Sequence, residues 1–342
     1  MKRWKRFGAF LCSAGLAAAA LTGCSALNTD KRIVRIAIGQ SETHPEYLGL
    51  VEMKNYIEEK LGDRYQIEIF PNELLGSTQK AIELTQTGAV DFTVAGAANL
   101  ETFTDSYEIF SMPYLFDSEE AYMAAMEDEE YLQSLYTSTS EAGFQTVAWY
   151  YAGTRNFYAK KPIRTPADLK GMKIRVQQSP ASIAMTKAFG AAAAPMSFGE
   201  VYTAIQQGVI DGAENNELAL TNNKHGEVAK YFSYTRHQMI PDMLIVNDRF
   251  WTGLSNEERA VFKEAAQRST QKELQEWQKQ VEEAKQIAQD NMKVEFLEVD
   301  MGKFREKVLS VHGDMLAKNK NIRGLYEHIQ RINEKTAKEE TQ

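Results

Sequence analysis

One arginine in this sequence occupies a position suited to binding an acid. Arg175 lies at the end of a short apolar run and is followed by Ser179 and Pro180, which are typical of a helix N-cap and a first helical residue. The pattern predicts an arginine at the carboxyl end of a strand, facing a helix N-terminus, where open α/β sheets bind ligands. A guanidinium offers two parallel donors to a carboxylate, and the helix N-terminus favours an anion. A surface arginine on an exposed strand face is the competing interpretation.

Residues with the spacing of a catalytic or metal site are scarce. The five histidines are scattered, without the His-Glu-x-x-His spacing of a zinc site; they are His44, His225, His237, His312 and His328. The sequence has no nucleophile elbow, phosphate-binding loop or dinucleotide glycine fingerprint. The acidic run 127–130 lacks the alternating ligands and glycine of a calcium loop, and is better explained as a solvated helix end. We therefore predict no metal and no cofactor, and a standard hydrolase or nucleotide enzyme is disfavoured.

The composition is that of an ordinary globular protein. The chain has 342 residues, and 39 lysines and arginines against 47 aspartates and glutamates give a net charge of −8. This length exceeds what one hydrophobic core usually organises, so two domains are expected. The acidic charge, together with the lack of a basic stripe or zinc-finger spacing, argues against nucleic acid as a partner.

The beginning of the chain has the pattern of an export signal and a tether. A basic start precedes an uncharged stretch that ends at Gly23, which is typical of a secretory signal peptide over residues 1–23. Leu21-Thr22-Gly23-Cys24 resembles the lipobox of bacterial lipoproteins and predicts a diacylglyceryl group on Cys24, with a tether over 24–31. An uncleaved anchor and a chance cysteine are the alternatives. We expect a lipid-anchored protein outside the cytoplasm, on the outer face of the cytoplasmic membrane or in a periplasm.

Strands and helices alternate through the first part of the chain. Hydrophobic periodicity and glycine or proline boundaries predict strands over 32–39, 66–70 and 90–94, and helices over 45–61 and 77–87. This order is typical of βαβ units in a mostly parallel sheet covered by helices. The Gln-x-Gly-x-x-Asp pattern of 86–91 returns at 206–211, which indicates a second unit of the same design unless such junctions merely look alike.

Two strand-like runs and a long helix are predicted to connect two lobes. The runs 146–151 and 243–246 could carry the chain across twice and so form a hinge. Ser255 and Glu258 form a capping box, and no glycine or proline interrupts the helical pattern from there to about residue 290. At 1.5 Å per residue, such a helix reaches roughly 50 Å, longer than one small lobe. A lobe-spanning helix is favoured over a coiled coil because the pattern has no sustained leucine seam.

An ordered set of motifs resembles one protein family. The motifs are His44-Pro45, Phe70-Pro71 with Leu75-Gly76, Pro113-Tyr114-Leu115-Phe116, Gly153-Thr154-Arg155, Lys170 to Val176, Gly190 to Tyr202 and Gln207 to Asn215. Spread over residues 31–335, they resemble the substrate-binding proteins of tripartite ATP-independent periplasmic (TRAP) transporters. The ordered set is far more specific than any one of its motifs.

The resemblance implies an α/β protein with the two-lobed periplasmic-binding-protein (type II-like) fold, with crossing hinge strands and a long lobe-spanning helix. Lobe I is expected to comprise residues 32–151 plus 241–280, and lobe II residues 152–240 plus 281–335, followed by a C-terminal tail over 336–342. The resemblance also implies that the protein is not an enzyme. Such a protein is a monomer that closes over a small organic acid and delivers it to a permease with one small and one large membrane subunit. In this family a sodium gradient, not ATP, drives transport.

The same resemblance implies roles for four residues of the predicted cleft. Arg175 matches the arginine that forms a salt bridge with the substrate carboxylate, and Arg155 matches a second basic pocket residue. Asn215 matches a polar partner on the facing loop, and Phe198 an aromatic residue of the pocket wall. The alternatives are that Phe198 belongs to the core and that Arg155 forms an ion pair at the lobe interface.

The stretches 211–216 and 225–231 look like the branch of the family that takes sugar acids, so the predicted substrate is a hexuronate such as D-glucuronate or D-galacturonate. Each desolvated hydroxyl group must find a hydrogen-bond partner. The expected hydroxyl-binding residues are His44, Glu73, Asn99, Gln177 and Asn216. The alternatives are another sugar acid such as diketogulonate, or a C4-dicarboxylate with Arg155 as its second clamp.

Two functions of other classes remain open at this point. An enzyme built on a binding-protein scaffold would need a reactive group in the cleft, for which Glu214 is the candidate. A ligand-sensing subunit would instead present its loaded surface to a membrane receptor. The sequence alone does not separate either function from transport.

Overall fold

Two β-sheets organise the chain. The computed structural model describes residues 31–339; the predicted signal peptide 1–23, Cys24 and the tether up to residue 30 lie outside this part, as do residues 340–342. The strands are β1 (Arg32–Ala37), β2 (Tyr65–Phe70), β3 (Phe92–Gly96), β4 (Phe144–Tyr150), β5 (Arg155–Ala159), β6 (Lys173–Val176), β7 (Ala192–Pro195), β8 (Gly212–Asn215), β9 (Tyr231–Gln238), β10 (Asp242–Asn247) and β11 (Glu295–Glu298).

Helices account for most of the chain between the strands. The α-helices are α1 (Pro45–Leu61), α2 (Thr78–Thr87), α3 (Ala97–Leu100), α4 (Glu119–Met126), α5 (Glu129–Thr137), α6 (Pro180–Ala188), α7 (Val201–Gln206), α8 (Leu218–Asn222), α9 (His225–Val228), α10 (Asp248–Gly253), α11 (Asn256–Asp290), α12 (Met301–Lys318) and α13 (Arg323–Glu339). Short 3₁₀ helices lie at Asp105–Ser111, Ser140–Ala142, Pro166–Leu169 and Phe198–Glu200. In residues 31–339, no helix has the length and apolarity needed to span a membrane.

The strands form one five-stranded and one six-stranded sheet. The order is β2-β1-β3-β10-β4 in the first and β11-β9-β5-β8-β6-β7 in the second. β1 is parallel to β2 and β3, and β6 is parallel to β7 and β8, as expected of strands joined by helical crossovers. We call the first sheet with its helices lobe I and the second sheet with its helices lobe II. This architecture confirms the predicted two-lobed α/β fold.

The repeated Gln-x-Gly-x-x-Asp pattern forms the same junction in each lobe. Gly88 and Gly208 follow α2 and α7 with φ angles of 80° and 74°, in the left-handed region that favours glycine. In lobe I the Asp91 carboxylate accepts a backbone N–H of β1 at 2.8 Å. In lobe II the Asp211 carboxylate accepts a backbone N–H of β6 at 2.7 Å. The pattern thus ties each helix exit to a neighbouring parallel strand, which confirms the second unit.

Three segments connect the lobes. β4 leads into β5 through residues 151–154, and β9 leads into β10 through residues 239–241. Because β10 pairs with β4 and β9 pairs with β5, both antiparallel, these two connections lie side by side. The third connection is α11, which follows the last strand of lobe I and precedes β11 of lobe II.

α11 is a helix of 35 residues that begins at the predicted Ser255–Glu258 capping box. Its first half packs along α1, and Phe262 and Ala266 are buried in the core of lobe I. Near its end, Ala288 is buried in the core of lobe II. Since the apolar face of α11 is covered by both lobes of the same chain, α11 is a lobe-spanning helix and not a coiled-coil strand.

The two C-terminal helices pack on different parts of the fold. α12 contacts α6 and β9 of lobe II, whereas α13 contacts α4. The side chain of Asn333 in α13 donates to the carbonyl of Leu115 at 2.9 Å and accepts the backbone N–H of Asp117 at 3.3 Å. Residues 336–339, expected to belong to a tail, instead continue α13.

Gly49 lets α1 and α11 approach each other closely. A Cβ atom at position 49 would lie 2.6 Å from the backbone oxygen of Ser269, so Gly49→Ala forces two packed helices apart. We expect this change to lower the free energy of unfolding by about 1–3 kcal/mol, measured by urea denaturation. Gly313→Ala is the matched control, because Gly313 also lies inside a helix but its Cβ would meet nothing within 4 Å. There alanine should raise stability by up to about 1 kcal/mol, and equal effects at the two positions would contradict the close approach.

Candidate functional site

A polar cavity lies between the two lobes. Its volume is about 710 Å³, counted as all the space not filled by protein atoms and including its open mouth. Eight of the nine predicted substrate-binding residues line it: Glu73, Asn99, Arg155, Arg175, Gln177, Phe198, Asn215 and Asn216. The fold therefore brings these residues together from both lobes, and His44 is the exception.

Arg175 is a buried cation at the cavity wall. It lies in β6, and Ser179 and Pro180 cap and begin α6, as predicted. Arg175 is 4% exposed, and its Nε and Nη2 atoms donate to the carbonyl of Met196 at 3.1 and 2.9 Å. Its guanidinium carbon lies 5.5 Å from the centre of the Phe198 ring. Burial lowers the pKa of Arg175, and in the part of the chain described the guanidinium has no carboxylate in an ion pair with it.

Arg155 carries the same charge but is already paired. The antiparallel neighbours β5 and β8 bring it against Glu214. Arg155 donates to both carboxylate oxygens of Glu214 and, at 2.9 Å, to its backbone carbonyl. Its Nη1 atom donates to Asn215 Oδ1 at 3.2 Å. The ion pair lies within lobe II, not at the lobe interface, and the charge of Arg155 is balanced before a ligand arrives.

Glu214 is held in its ionised form. Burial alone would raise the pKa of Glu214, but Arg155 outweighs burial, with help from His237, and the pKa falls to about 2. His237 Nε2 lies 3.6 Å from the Glu214 carboxylate. A carboxylate that binds an arginine with both oxygens is not free to transfer protons, so the candidate reactive group of an enzyme has a structural partner instead.

Polar contacts join the two lobes around the cavity. The Glu73 carboxylate of lobe I accepts the backbone N–H of Gly199 of lobe II at 3.2 Å. Gln177 of lobe II donates from Nε2 to Asn99 Oδ1 of lobe I at 3.2 Å. Because Glu73 contacts Gly199 and Gln177 contacts Asn99 across the cleft, the lobes are in a closed arrangement.

Glu101, which the sequence analysis did not identify, links the lobes beside the cavity. Its carboxylate accepts the Ser179 hydroxyl at 2.9 and 3.0 Å and the backbone N–H of Ala181 at 3.4 Å, at the start of α6. Burial raises the pKa of Glu101 to about 8, although hydrogen bonds from Ser111, Ser179 and Ala181 act in the opposite direction. The contact fastens α6, and with it the strand of Arg175, to lobe I.

Asn215, Asn216 and Phe198 combine structural contacts with places in the cavity wall. Asn216 Nδ2 donates to the carbonyl of Ala152 at 2.8 Å, in the first connection between the lobes. The Asn215 side-chain oxygen accepts the backbone N–H of Asn216 at 2.9 Å. Phe198 is half-buried, and its ring packs on the lobe II core while lining the cavity. The two interpretations of Phe198, core and wall, are therefore both correct descriptions of its position.

His44 is not part of the cavity wall. It is 2% exposed and caps α1, where its Nδ1 atom accepts the backbone N–H of Glu46. Its ring packs edge-on against Trp277 of α11, with 6.0 Å between the ring centres. Burial lowers the pKa of His44 to about 3, so the ring is neutral. Its position gives His44 a capping role and does not support the expected contact with a ligand hydroxyl.

The cavity also contains polar residues that the sequence analysis did not identify. Two of them carry carboxyl groups: Glu46 in the first turn of α1 and Asp242 at the start of β10. The others include Gln40, Ser77, Thr78, Gln79, Gln178 and Ser197. The only signals in the sequence were that Glu46 follows the His44-Pro45 motif and that Asp242 directly precedes a predicted hinge strand. Among residues 31–339, no three histidine, cysteine or acidic side chains converge as metal ligands.

Comparison with known proteins finds similarity over most of the chain. The family model described as bacterial extracellular solute-binding protein, family 7, matches residues 36–319. A TRAP periplasmic solute-binding protein of Anaerococcus prevotii, solved with bound α/β-D-glucuronate, is 48% identical and has a TM-score of 0.88, covering 89% of this chain and 99% of its own. A TRAP periplasmic solute-binding protein of Sulfitobacter sp. NAS-14.1, solved with bound β-D-galacturonate, is 32% identical with a TM-score of 0.84, covering 88% and 100%. The 2,3-diketo-L-gulonate-binding periplasmic protein YiaO of Escherichia coli (strain K12) is 30% identical over 84% of each chain.

The buried pair of Arg155 and Glu214 makes a prediction about stability. Glu214→Gln leaves Arg155 as an uncompensated buried charge, so we expect the free energy of unfolding at pH 7 to fall by roughly 3–5 kcal/mol. Glu298→Gln is the matched control, because Glu298 makes the same two-pronged pair with Arg236 on the surface, at 2.9 and 3.0 Å. That exposed pair should contribute less than about 1 kcal/mol, as urea denaturation of both variants would measure.

The ion pair of Arg155 and Glu214 also predicts how the free energy of unfolding depends on pH. The pKa of Glu214 is lowered from an ordinary 4.5 to about 2, so its stabilising effect is fully present above pH 4.5 and is lost as the pH falls towards 2. The stability difference between the wild type and Glu214→Gln should therefore shrink across that range. A difference that stays constant from pH 5 to pH 2 would show that the ionised carboxylate is not its source.

Proposed function

Because this chain belongs to family 7 of the bacterial extracellular solute-binding proteins, which serve TRAP transporters, we propose that it captures a hexuronate and delivers it to a TRAP permease. D-glucuronate and D-galacturonate are the leading substrates. The protein acts outside the cytoplasm, as its family does, and its role is binding and not catalysis.

The unpaired charge of Arg175 is the observation that carries this proposal. A guanidinium that is 4% exposed has lost most of its hydration, yet among the described residues it hydrogen-bonds only to a neutral carbonyl. A ligand carboxylate would supply the missing charge and accept the donors that still face the cavity. Phe198, against the same guanidinium, would limit where that carboxylate can sit.

The remainder of the cavity supports a ligand with one carboxylate and several hydroxyl groups. Apart from Arg175, its wall is formed mainly by amide, hydroxyl and carboxyl side chains, which suit hydroxyl groups. Arg155 is a poor second clamp for a dicarboxylate because the Glu214 carboxylate already accepts from its Nε and Nη2 atoms. Similar proteins bind D-glucuronate, D-galacturonate and 2,3-diketo-L-gulonate, all of which have this pattern of groups.

Binding is coupled to lobe closure. The open lobes admit a hydrated acid, and closure about residues 151–154 and 239–241 removes water from the ion pair with Arg175, which strengthens it. The contacts of Glu73 with Gly199 and of Gln177 with Asn99 form only when the lobes meet. A permease that recognises the closed surface then distinguishes loaded from empty protein, and the two membrane subunits use a sodium gradient for the transport step.

We propose that the protein is a monomer held at the membrane by a diacylglyceryl group on Cys24. The lipobox-like Leu21-Thr22-Gly23-Cys24 follows an uncharged stretch of suitable length, and two acyl chains suffice for stable anchoring. The domain limits given above, 32–151 plus 241–280 and 152–240 plus 281–335, are likewise proposed as the two bodies that move, except that α13 packs on α4 and moves with the first body.

The anchor is tested by changing each cysteine in turn. In a bacterial host with lipoprotein processing, Cys24→Ser should release the protein from the membrane fraction and abolish incorporation of labelled fatty acid. Cys12→Ser is the matched control, since Cys12 lies in the predicted signal peptide and should have no effect on either measurement. Unchanged fractionation and labelling of Cys24→Ser would exclude lipidation at this residue.

The substrate and the clamp are tested together by titration calorimetry on a soluble form without residues 1–24. We expect binding of D-glucuronate or D-galacturonate, and weaker or no binding of 2,3-diketo-L-gulonate and succinate. Arg175→Ala should weaken hexuronate binding by about a hundredfold or more, because it removes a desolvated charge pair. Arg175→Lys keeps the charge but loses the two parallel donors, so its affinity should fall in between.

Arg164→Ala is the control for loss of an arginine. Arg164 is exposed and pairs with Glu295 at 3.3 Å within lobe II, outside the cavity wall, so its removal should leave both stability and affinity close to those of the wild type. Preference for 2,3-diketo-L-gulonate would show that the substrate is a sugar acid other than a hexuronate. Tight succinate binding would contradict the proposed substrate. Normal hexuronate binding by Arg175→Ala would contradict the proposed role of Arg175.

A further inference from the structure

Two carboxyl groups that the proposed mechanism does not use adjoin one another in the cavity. Glu46 lies in the first turn of α1 and is 1% exposed, and Asp242 is the first residue of β10. Both line the cavity from the lobe I side. Each carboxyl group acts electrostatically on the other, as expected of neighbours on one wall.

His44 Nδ1 lies 3.9 Å from the Glu46 carboxylate, but this atom of the neutral ring accepts the backbone N–H of Glu46 and has no proton to donate to the carboxylate. Within residues 31–339, neither carboxyl oxygen of Glu46 accepts a hydrogen bond from a donor group. Burial raises the pKa of Glu46, and the charges of Asp242 and Glu273 raise it further. Burial also raises the pKa of Asp242. Two adjoining carboxyl groups in such surroundings share one proton, so one presents an O–H donor and the other a charged acceptor.

The pair lies on a different wall from Arg175. Arg175 is fixed in lobe II by the carbonyl of Met196, whereas the cation whose charge acts on Asp242 is Arg155. Asp242 Oδ1 lies against Gly96 of lobe I, where an added Cβ would come within 2.8 Å of it. The cavity therefore has an unpaired cation on the lobe II wall and a shared negative charge on the lobe I wall.

We propose that Glu46 and Asp242 form the hydroxyl-binding end of the cavity and exclude a second carboxylate from that end. A ligand hydroxyl can donate to the charged carboxylate and accept from the protonated one, so it satisfies both members of the pair at once. A carboxylate in the same place would meet a like charge in a desolvated site. Glu46 and Asp242 thus set the choice between a hydroxylated monoacid and a diacid.

This inference rests on the proposed function. Two six-carbon acids, D-glucuronate and D-glucarate, allow the inference and the proposed function to be tested separately. D-glucuronate and D-glucarate have the same number of carbons, but D-glucarate has a second carboxylate in place of the aldehyde carbon. The wild type, Asp242→Asn and the double variant Glu46→Gln with Asp242→Asn are titrated with both acids. Glu273→Gln is the matched control, since Glu273 belongs to the same buried group of carboxyls but does not line the cavity.

We expect Asp242→Asn to weaken D-glucuronate binding by about tenfold or more, because a charged acceptor becomes a neutral one. The double variant, which carries no charge at this wall, should lower the preference for D-glucuronate over D-glucarate by about tenfold or more. Glu273→Gln should change neither quantity by more than about threefold. Melting temperatures within a few degrees of the wild type identify the variants that are folded.

The outcomes that overturn the inference differ from those that overturn the proposed function. If the wild type binds D-glucuronate but the double variant retains its affinity and preference, the carboxyl pair is not a specificity element. The same follows if Glu273→Gln reproduces the effects of Asp242→Asn, because the cause is then the charge of the buried cluster and not contact with ligand. If the wild type binds no hexuronate, the proposed function is wrong and this inference falls with it. Preference of the wild type for D-glucarate contradicts the exclusion directly.

Discussion

The unpaired positive charge of Arg175 is the constraint on which the site depends. A guanidinium buried to 4% exposure costs several kcal/mol of lost hydration unless a negative charge faces it. The fold supplies that charge for Arg155 through Glu214 on the neighbouring strand, whereas in the described residues no carboxylate forms an ion pair with Arg175, and Glu214 and Glu73 act on it only from a greater distance. In the proposed binding mode, the ligand carboxylate supplies the ion-pair partner that Arg175 does not have in the described residues. Closure and binding are then one event.

The other polar groups of the cavity differ in whether they have hydrogen-bond partners in the closed protein. Amides such as those of Asn99 and Gln177 pair with each other across the cleft, and Glu73 and Glu101 accept donors from the opposite lobe. These groups are satisfied by closure itself, whereas in residues 31–339 neither carboxyl oxygen of Glu46 accepts a hydrogen bond. A ligand that replaces water at all of these positions must be rich in hydroxyl groups and carry one negative charge. A transported sugar acid meets both requirements.

Much of this fold is visible in the sequence because long periodic elements and their caps are local properties. α1 and α11 occur where the periodicity predicts them, and Ser179 caps α6. β3 begins two residues later than predicted, because residues 90 and 91 belong to the junction that ties α2 to β1. The pairing of Arg155 with Glu214 depends on the register between β5 and β8. The interaction of Glu46 with Asp242 depends on how α1 packs against the hinge. No local sequence pattern encodes either contact. The sequence does not distinguish a capping role from ligand binding at His44, because both favour a polar side chain before a helix.

The adjacency of the two strand connections has a mechanical consequence. Two antiparallel connections side by side favour rotation about one axis, and α11 bridges the lobes as the third connection. Arg155 and Asp242 each follow a strand connection directly and move little, whereas the contact of Glu73 with the exposed Gly199 is made by loops on opposite lobes and separates as they part. The floor of the cavity is therefore preformed for the first encounter, and the loop contacts control how long the acid stays. Changes at the floor should act on the association rate and on selectivity, and changes at Glu73 on the residence time.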